Sequence, residues 1–155
     1  MAVQIFFSYS HKDEKLLHKV RQQLIPFERE GILVKWYDRE IRAGQEWNPA
    51  IKRRLLSAHI ILLLVSPDFI ESRYCYNLEM KEALARHERG EAVVIPVILR
   101  SCLWKDTPIG KLQALPTDGK PIKNWSNIDD ATTNVASGIM EVVRKLISEN
   151  KVRPR

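Results

Sequence analysis

No apolar run in this chain approaches the roughly 20 residues that a membrane-spanning helix needs, so no span is expected. Cysteine is sparse: Cys75 and Cys102 are the two present, too few for a disulfide framework and outside any zinc-type spacing. They read as reduced thiols, and the expected compartment is the cytoplasm. Glycine is equally scarce, six in 155 residues, with no Gly-x-Gly-x-x-Gly and no Walker-type loop. Nucleotide binding through those motifs is therefore unsupported. A Gly-x-Ser-x-Gly elbow is missing too, which removes the esterase reading. The four histidines, His11, His18, His59 and His87, do not cluster with cysteines or acids at ligand spacing, so no metal site is expected. Met1-Ala2-Val3-Gln4 has neither a basic n-region nor an apolar h-region, so it does not read as a signal peptide.

What is present suits one globular domain. Hydrophobic residues make up 45% and charged residues 28%, and 155 residues can bury a real core without staples. The net charge of +6 invites a nucleic-acid reading. Lys151, Arg153 and Arg155, however, lie in the last five residues, and elsewhere bases alternate with acids, as in Lys12-Asp13-Glu14-Lys15 and Arg86-His87-Glu88-Arg89. Without a basic stripe carrying aromatics, no nucleic-acid partner is expected.

Val3 to Phe7 reads as a buried first strand ending at Ser8. Ser10 to Asp13 gives the Ser-x-x-acid pattern of a capping box, followed by Leu16, Leu17, Val20 and Leu24 at helical spacing, with Pro26 and Gly31 bracketing the exit. Ile32 to Tyr37 is a second strand, running into a polar loop from Asp38 to Trp47. Pro49 suits the first turn of the next helix, where Trp47, Ile51 and Leu55 share a face. His59 to Val65 is apolar on both faces, as expected at the centre of a parallel sheet. A helix from about Ser72 to Glu88 and a strand from Ala92 to Leu99 follow. Pro96 cannot donate to a ladder and directs that strand to an edge or a bulge. The stretch from Arg100 to Asn127 is loop-rich, with a short fifth strand expected near Pro121-Ile122-Lys123. A long helix begins at Asp129. Strands alternating with helices predict an α/β fold: a flavodoxin-like, doubly wound, five-stranded parallel sheet with helices on both faces.

Ligands of such sheets lie beyond the carboxyl ends of the strands, where strand order reverses. Two ends here turn abruptly polar, Ser8-Tyr9-Ser10 and Ser66-Pro67-Asp68, and Asp38 closes the second strand. In the helix after the third strand, Tyr76, Met80, Ala83, Leu84 and His87 form one stripe, with Glu79 at its margin and Cys75 one turn earlier. Periodicity alone gives Glu71, Glu82 and Glu88 comparable claims. The order would also suit a phosphoacceptor receiver domain, but that needs acids where this chain has Ser8 and Ser66.

Taken together these segments resemble the TIR (Toll/interleukin-1 receptor) domain, bacterial type. Ile5-Phe6-Phe7-Ser8-Tyr9-Ser10 with Asp13 is similar to the family's first motif. Tyr37-Asp38 through Ala43-Gly44 and Trp47 is similar to the second motif and the BB loop after it. Ser66-Pro67 and Ser72-x-Tyr74-Cys75-x-x-x-Glu79 resemble the third strand and catalytic helix. Val94-Ile95-Pro96-Val97 and Trp125-Ser126 with Asp129-Asp130-Ala131 match the fourth strand and last helix. Tyr74 precedes Glu79 by five residues and Cys75 by four, the bacterial spacing. The family's basic residues beside the first strand are replaced by Ser10 and His11.

The resemblance implies a domain over residues 1–150 and a basic tail, 151–155, that starts a linker to a sensor or effector region. It implies cleavage of NAD+ between nicotinamide and ribose, with NAD+ as substrate and no other cofactor, and self-association with other TIR domains. Glu79 is the implied catalytic carboxylate, and Tyr9, Ser10, Asp38, Gly44, Trp47, Tyr74 and Cys75 the implied substrate-binding residues. One acid suffices for this chemistry, because nicotinamide leaves a pyridinium as a neutral ring; ordinary glycosidases need a second carboxyl to protonate the leaving group. The rival implication is a non-catalytic interaction module docking through Ile41 to Trp47.

Overall fold

Strands apolar on both faces need cover on both faces, and helices supply it here. The computed structural model describes residues 2–37, 49–71 and 78–149, with residues 49–51 and 78–79 as backbone alone. Strands β1 (Val3–Ser8), β2 (Leu33–Tyr37), β3 (Ile60–Val65) and β4 (Val93–Ile98) form one parallel sheet in the order β2-β1-β3-β4. Every residue of β1 and β3 is buried. Alternate residues face opposite layers. Ile5, Phe7, Ile60, Leu62, Leu64 and Val97 pack under α1 (Glu14–Arg29) and α5 (Ile128–Ser148). Phe6, Ile61, Leu63, Val65 and Ile98 pack under α2 (Pro49–Ser57), α3 (Pro67–Glu71) and α4 (Leu78–Glu88).

The expected fifth strand is not formed among the described residues. Ile122–Asn124 makes a single 3-10 turn, with the Ile122 side chain wholly buried in the α1/α5 layer. A one-residue bridge stands beside β4 instead: the Leu115 N–H donates to the Pro96 carbonyl at 2.8 Å, and the Ile98 N–H to the Leu115 carbonyl at 2.8 Å. The next donor that would face β4, the Thr117 N–H, goes instead to Asn134 Oδ1 at 2.9 Å as the chain enters a 3-10 turn, which accounts for the ladder's stopping at one residue. Pro96 does lie on the last strand of the four, in keeping with its sequence signal.

Two helix limits differ from expectation. Pro26 lies inside α1, not at its exit. The helix runs on to Arg29 and is closed by Gly31, at φ +76°, whose N–H donates to the Glu28 carbonyl at 3.0 Å. A left-handed residue after the last turn is the usual glycine terminator. In α4, Met80 and Ala83 are buried and Leu84 and His87 half-buried, as the stripe predicts; Ser72 to Asn77, including Tyr76, lie outside the described residues. Arg86, which from sequence stands in a run where bases alternate with acids, is buried. Its Nη1 donates to the Leu55 carbonyl at 2.8 Å, satisfying an open carbonyl in the last turn of α2, and its Nη2 donates to the Glu91 carbonyl at 3.2 Å.

Candidate functional site

The sheet reverses its winding at β1 and β3, since the chain moves from β1 outward to β2 and then back across to β3. The carboxyl ends of these strands therefore open the crevice where an α/β sheet takes ligands. At this edge Ser66, fully buried, is the residue before Pro67 and caps α3: its Oγ accepts from the Phe69 N–H at 3.1 Å. Serine before a proline at the first helical position is a strong helix start. The same Oγ donates to Oδ2 of Asp13, which is 3% exposed.

Asp13 was expected to close a capping box, and it does not. Ser10 Oγ accepts from the Lys12 N–H at 3.3 Å and caps a single 3-10 turn, His11–Asp13. The Asp13 carboxylate turns inward to Ser66 and to Arg100, two residues beyond β4, whose Nε donates to Oδ1 at 3.0 Å. A charge-assisted bond to a buried carboxylate outweighs a surface backbone cap. Arg100 Nη2 also pairs with Asp68 on α3, and Lys12 Nζ lies 3.6 Å from the same Asp68 carboxylate. Arg100 holds the Asp68 carboxyl below the usual carboxylate range, and Asp68 in turn raises the guanidinium. Groups from the ends of β1, β3 and β4 are thus joined in one polar network.

Of the sequence-predicted residues, Tyr9 follows β1 and is 7% exposed, its ring edge-on to Tyr37 at 6.3 Å between centroids in the α1/α5 layer. Ser10 is half-buried at the crevice edge. Glu79 is the second residue of α4, the helix that follows β3 and α3, and is described as backbone alone. Asp38, Gly44, Trp47, Tyr74 and Cys75 lie outside the described residues.

Asp13, Ser66, Asp68 and Arg100 are the crevice groups that sequence reasoning did not join: Asp13 was read as a cap, and the other three were given no role in a network. A signal existed for three of them: Ser-Pro-Asp after a wholly apolar strand for Ser66 and Asp68, and an arginine directly beyond another expected strand for Arg100. The remaining thiol, Cys102, is half-buried, and burial pushes its pKa up, so it makes a poor nucleophile. Among the described residues no three His, Cys, Asp or Glu side chains gather as metal ligands, and no helix is long and apolar enough to cross a membrane.

The chain is 49% identical over 142 residues to an uncharacterized protein of Sinorhizobium fredii (strain NBRC 101917 / NGR234), y4lF. That alignment covers 92% of this chain but only 44% of the relative, so the chain spans less than half of its relative's length. A solved structure of a proposed sugar-phosphate isomerase from Listeria monocytogenes overlaps 94% of this chain and 70% of its own, at 12% identity and a TM-score of 0.43, a likeness too low to argue from. The profile of the TIR domain matches residues 5–131, from the first strand into the last helix. With β1, the crevice at Ser8 and Ser66, and the helix carrying Glu79 all inside that match, this chain belongs to the TIR domain family.

Proposed function

We propose that this TIR domain is an NAD+ glycohydrolase, releasing nicotinamide together with ADP-ribose or a cyclic isomer. The observation that carries the reading is that Glu79, whose motif resembles the family's catalytic one, falls at the start of α4, the second helix after the crevice strand β3 and inside the family match. A fixed carboxylate beside the ribose stabilises the positive charge that develops there as the neutral ring leaves. Tyr9, Trp47, Tyr74 and Cys75 wall the nicotinamide and ribose; Ser10, Asp38 and Gly44 shape the substrate loop. No further cofactor enters, since NAD+ is itself the substrate. Activation comes from self-association, with neighbouring copies completing the site, in a prokaryotic anti-phage response triggered by the rest of a longer cytoplasmic protein.

The test is NAD+ consumption followed by chromatography, at high protein concentration with and without a crowding agent, for the wild type and Glu79→Gln. Nicotinamide release that falls at least about 100-fold in the variant, the scale of losing one electrostatic stabiliser, supports the assignment. Turnover retained in Glu79→Gln removes Glu79 from the chemistry. A folded, assembled wild type that releases no nicotinamide returns the domain to the interaction-module reading.

A further inference from the structure

Asp68 is a surface carboxylate gripped by two cations from different elements, at the edge of the sheet where ligands bind. Lys12 Nζ approaches it at 3.6 Å from the turn after β1, and Arg100 reaches it from beyond β4. The three differ in how firmly they are held. Arg100 is fixed from below, because Nε and Nη2 both lie 3.0 Å from Oδ1 of the buried Asp13, which does not depend on Asp68. Among the described residues Nη1 of Arg100 makes no hydrogen bond, and the side chain is 33% exposed. Lys12 is 65% exposed, and Asp68 sits on a five-residue helix at 24%. On the Lys12 side the pair faces solvent, where an ion pair contributes modestly and its anion can be exchanged.

We infer that Lys12 and Arg100 form the oxyanion grip of the crevice, that Asp68 occupies it in the empty protein, and that the diphosphate of the dinucleotide replaces Asp68 there. The inference rests on the proposed NAD+ reading for the identity of the anion. A guanidinium anchored by one carboxylate keeps a preorganised donor edge for phosphate oxygens, and lysine adds a mobile point charge. Ser10 and His11 carry no permanent charge beside β1, and these two cations supply it from the next position along and from across the crevice. Asp68 then acts as a competitor, tuning affinity downward.

The experiment measures KM for NAD+ and, separately, the Kd for ADP-ribose by calorimetry, on Lys12→Gln, Arg100→Lys and Asp68→Asn, with thermal melts to establish folding. Lys12→Gln is expected to raise KM and Kd about 5- to 10-fold, the scale of one charge-assisted contact, with kcat within about twofold. Asp68→Asn is expected to lower both about threefold by removing the competing charge, although it removes an ion pair. A purely structural network would weaken melting in Asp68→Asn without tightening binding. Unchanged KM in folded Lys12→Gln, or weaker binding in Asp68→Asn, overturns the grip while leaving NAD+ cleavage standing. ADP-ribose binding that depends on Lys12 without any nicotinamide release upholds the grip and removes the cleavage reading. A folded wild type that neither binds ADP-ribose nor releases nicotinamide overturns both.

Discussion

Asp13 shows how one carboxylate can serve either of two partners, and how burial selects between them. Its sequence context offers a backbone cap, but in the fold it is 3% exposed and accepts from Ser66 and Arg100. A buried charge needs such partners, since an uncompensated one costs several kcal/mol. Asp68, at the outer end of the same network, gives a pH signature. Its pKa is lowered in the fold by Arg100, so it stabilises the native state above the unfolded-state carboxylate range and loses that contribution as pH falls through the native value. The wild type is therefore expected to melt above Asp68→Asn at pH 6 to 7, with the gap closing below about pH 4. Melts of both proteins across that range check it; a gap that widens on acidification contradicts the assignment.

At the scale of elements, the α/β order, the wholly buried β1 and β3, the stripe of α4 and the start of α5 were legible from period and capping alone. Asn127 Oδ1 accepts from the Asp130 N–H at 3.1 Å at the head of α5, one residue before the expected start at Asp129. The lack of a fifth strand among the described residues was not legible, because an apolar residue after a proline, Ile122, reads the same whether it pairs in a ladder or only fills a core. Pro26 misled for a related reason: near a helix end the missing N–H costs one bond, and the packed stripe of α1 carries the helix past it. The connection after β4 contains a tighter constraint. A Cβ on Gly110 would lie 1.9 Å from the Lys105 carbonyl oxygen, a backbone atom that cannot rotate away. Gly110→Ala is expected to cost at least about 2 kcal/mol, the range of a strained backbone site, as it displaces the turn that seats the buried Trp104. Denaturant unfolding measures this, and a change under about 0.5 kcal/mol would show that the turn yields freely.

For the whole molecule, the proposed activity depends on assembly, so specific activity is expected to rise at least about tenfold across a hundredfold increase in protein concentration, the behaviour of a site completed by mass action. Turnover per molecule that stays constant over that range would place the complete site within one chain. The family motifs pointed to Glu79 and to the strand that precedes its helix without any coordinates, because a motif is a local order of residue types. Local order also dictated the layered α/β architecture: apolar runs of strand length demand two-sided cover, and amphipathic helices between them provide it. Sequence alone could not bring Lys12, Asp13, Ser66, Asp68 and Arg100 together. They are up to 88 residues apart, and only the parallel sheet, by ending β1, β3 and β4 at one edge, sets their polar groups within reach of one another.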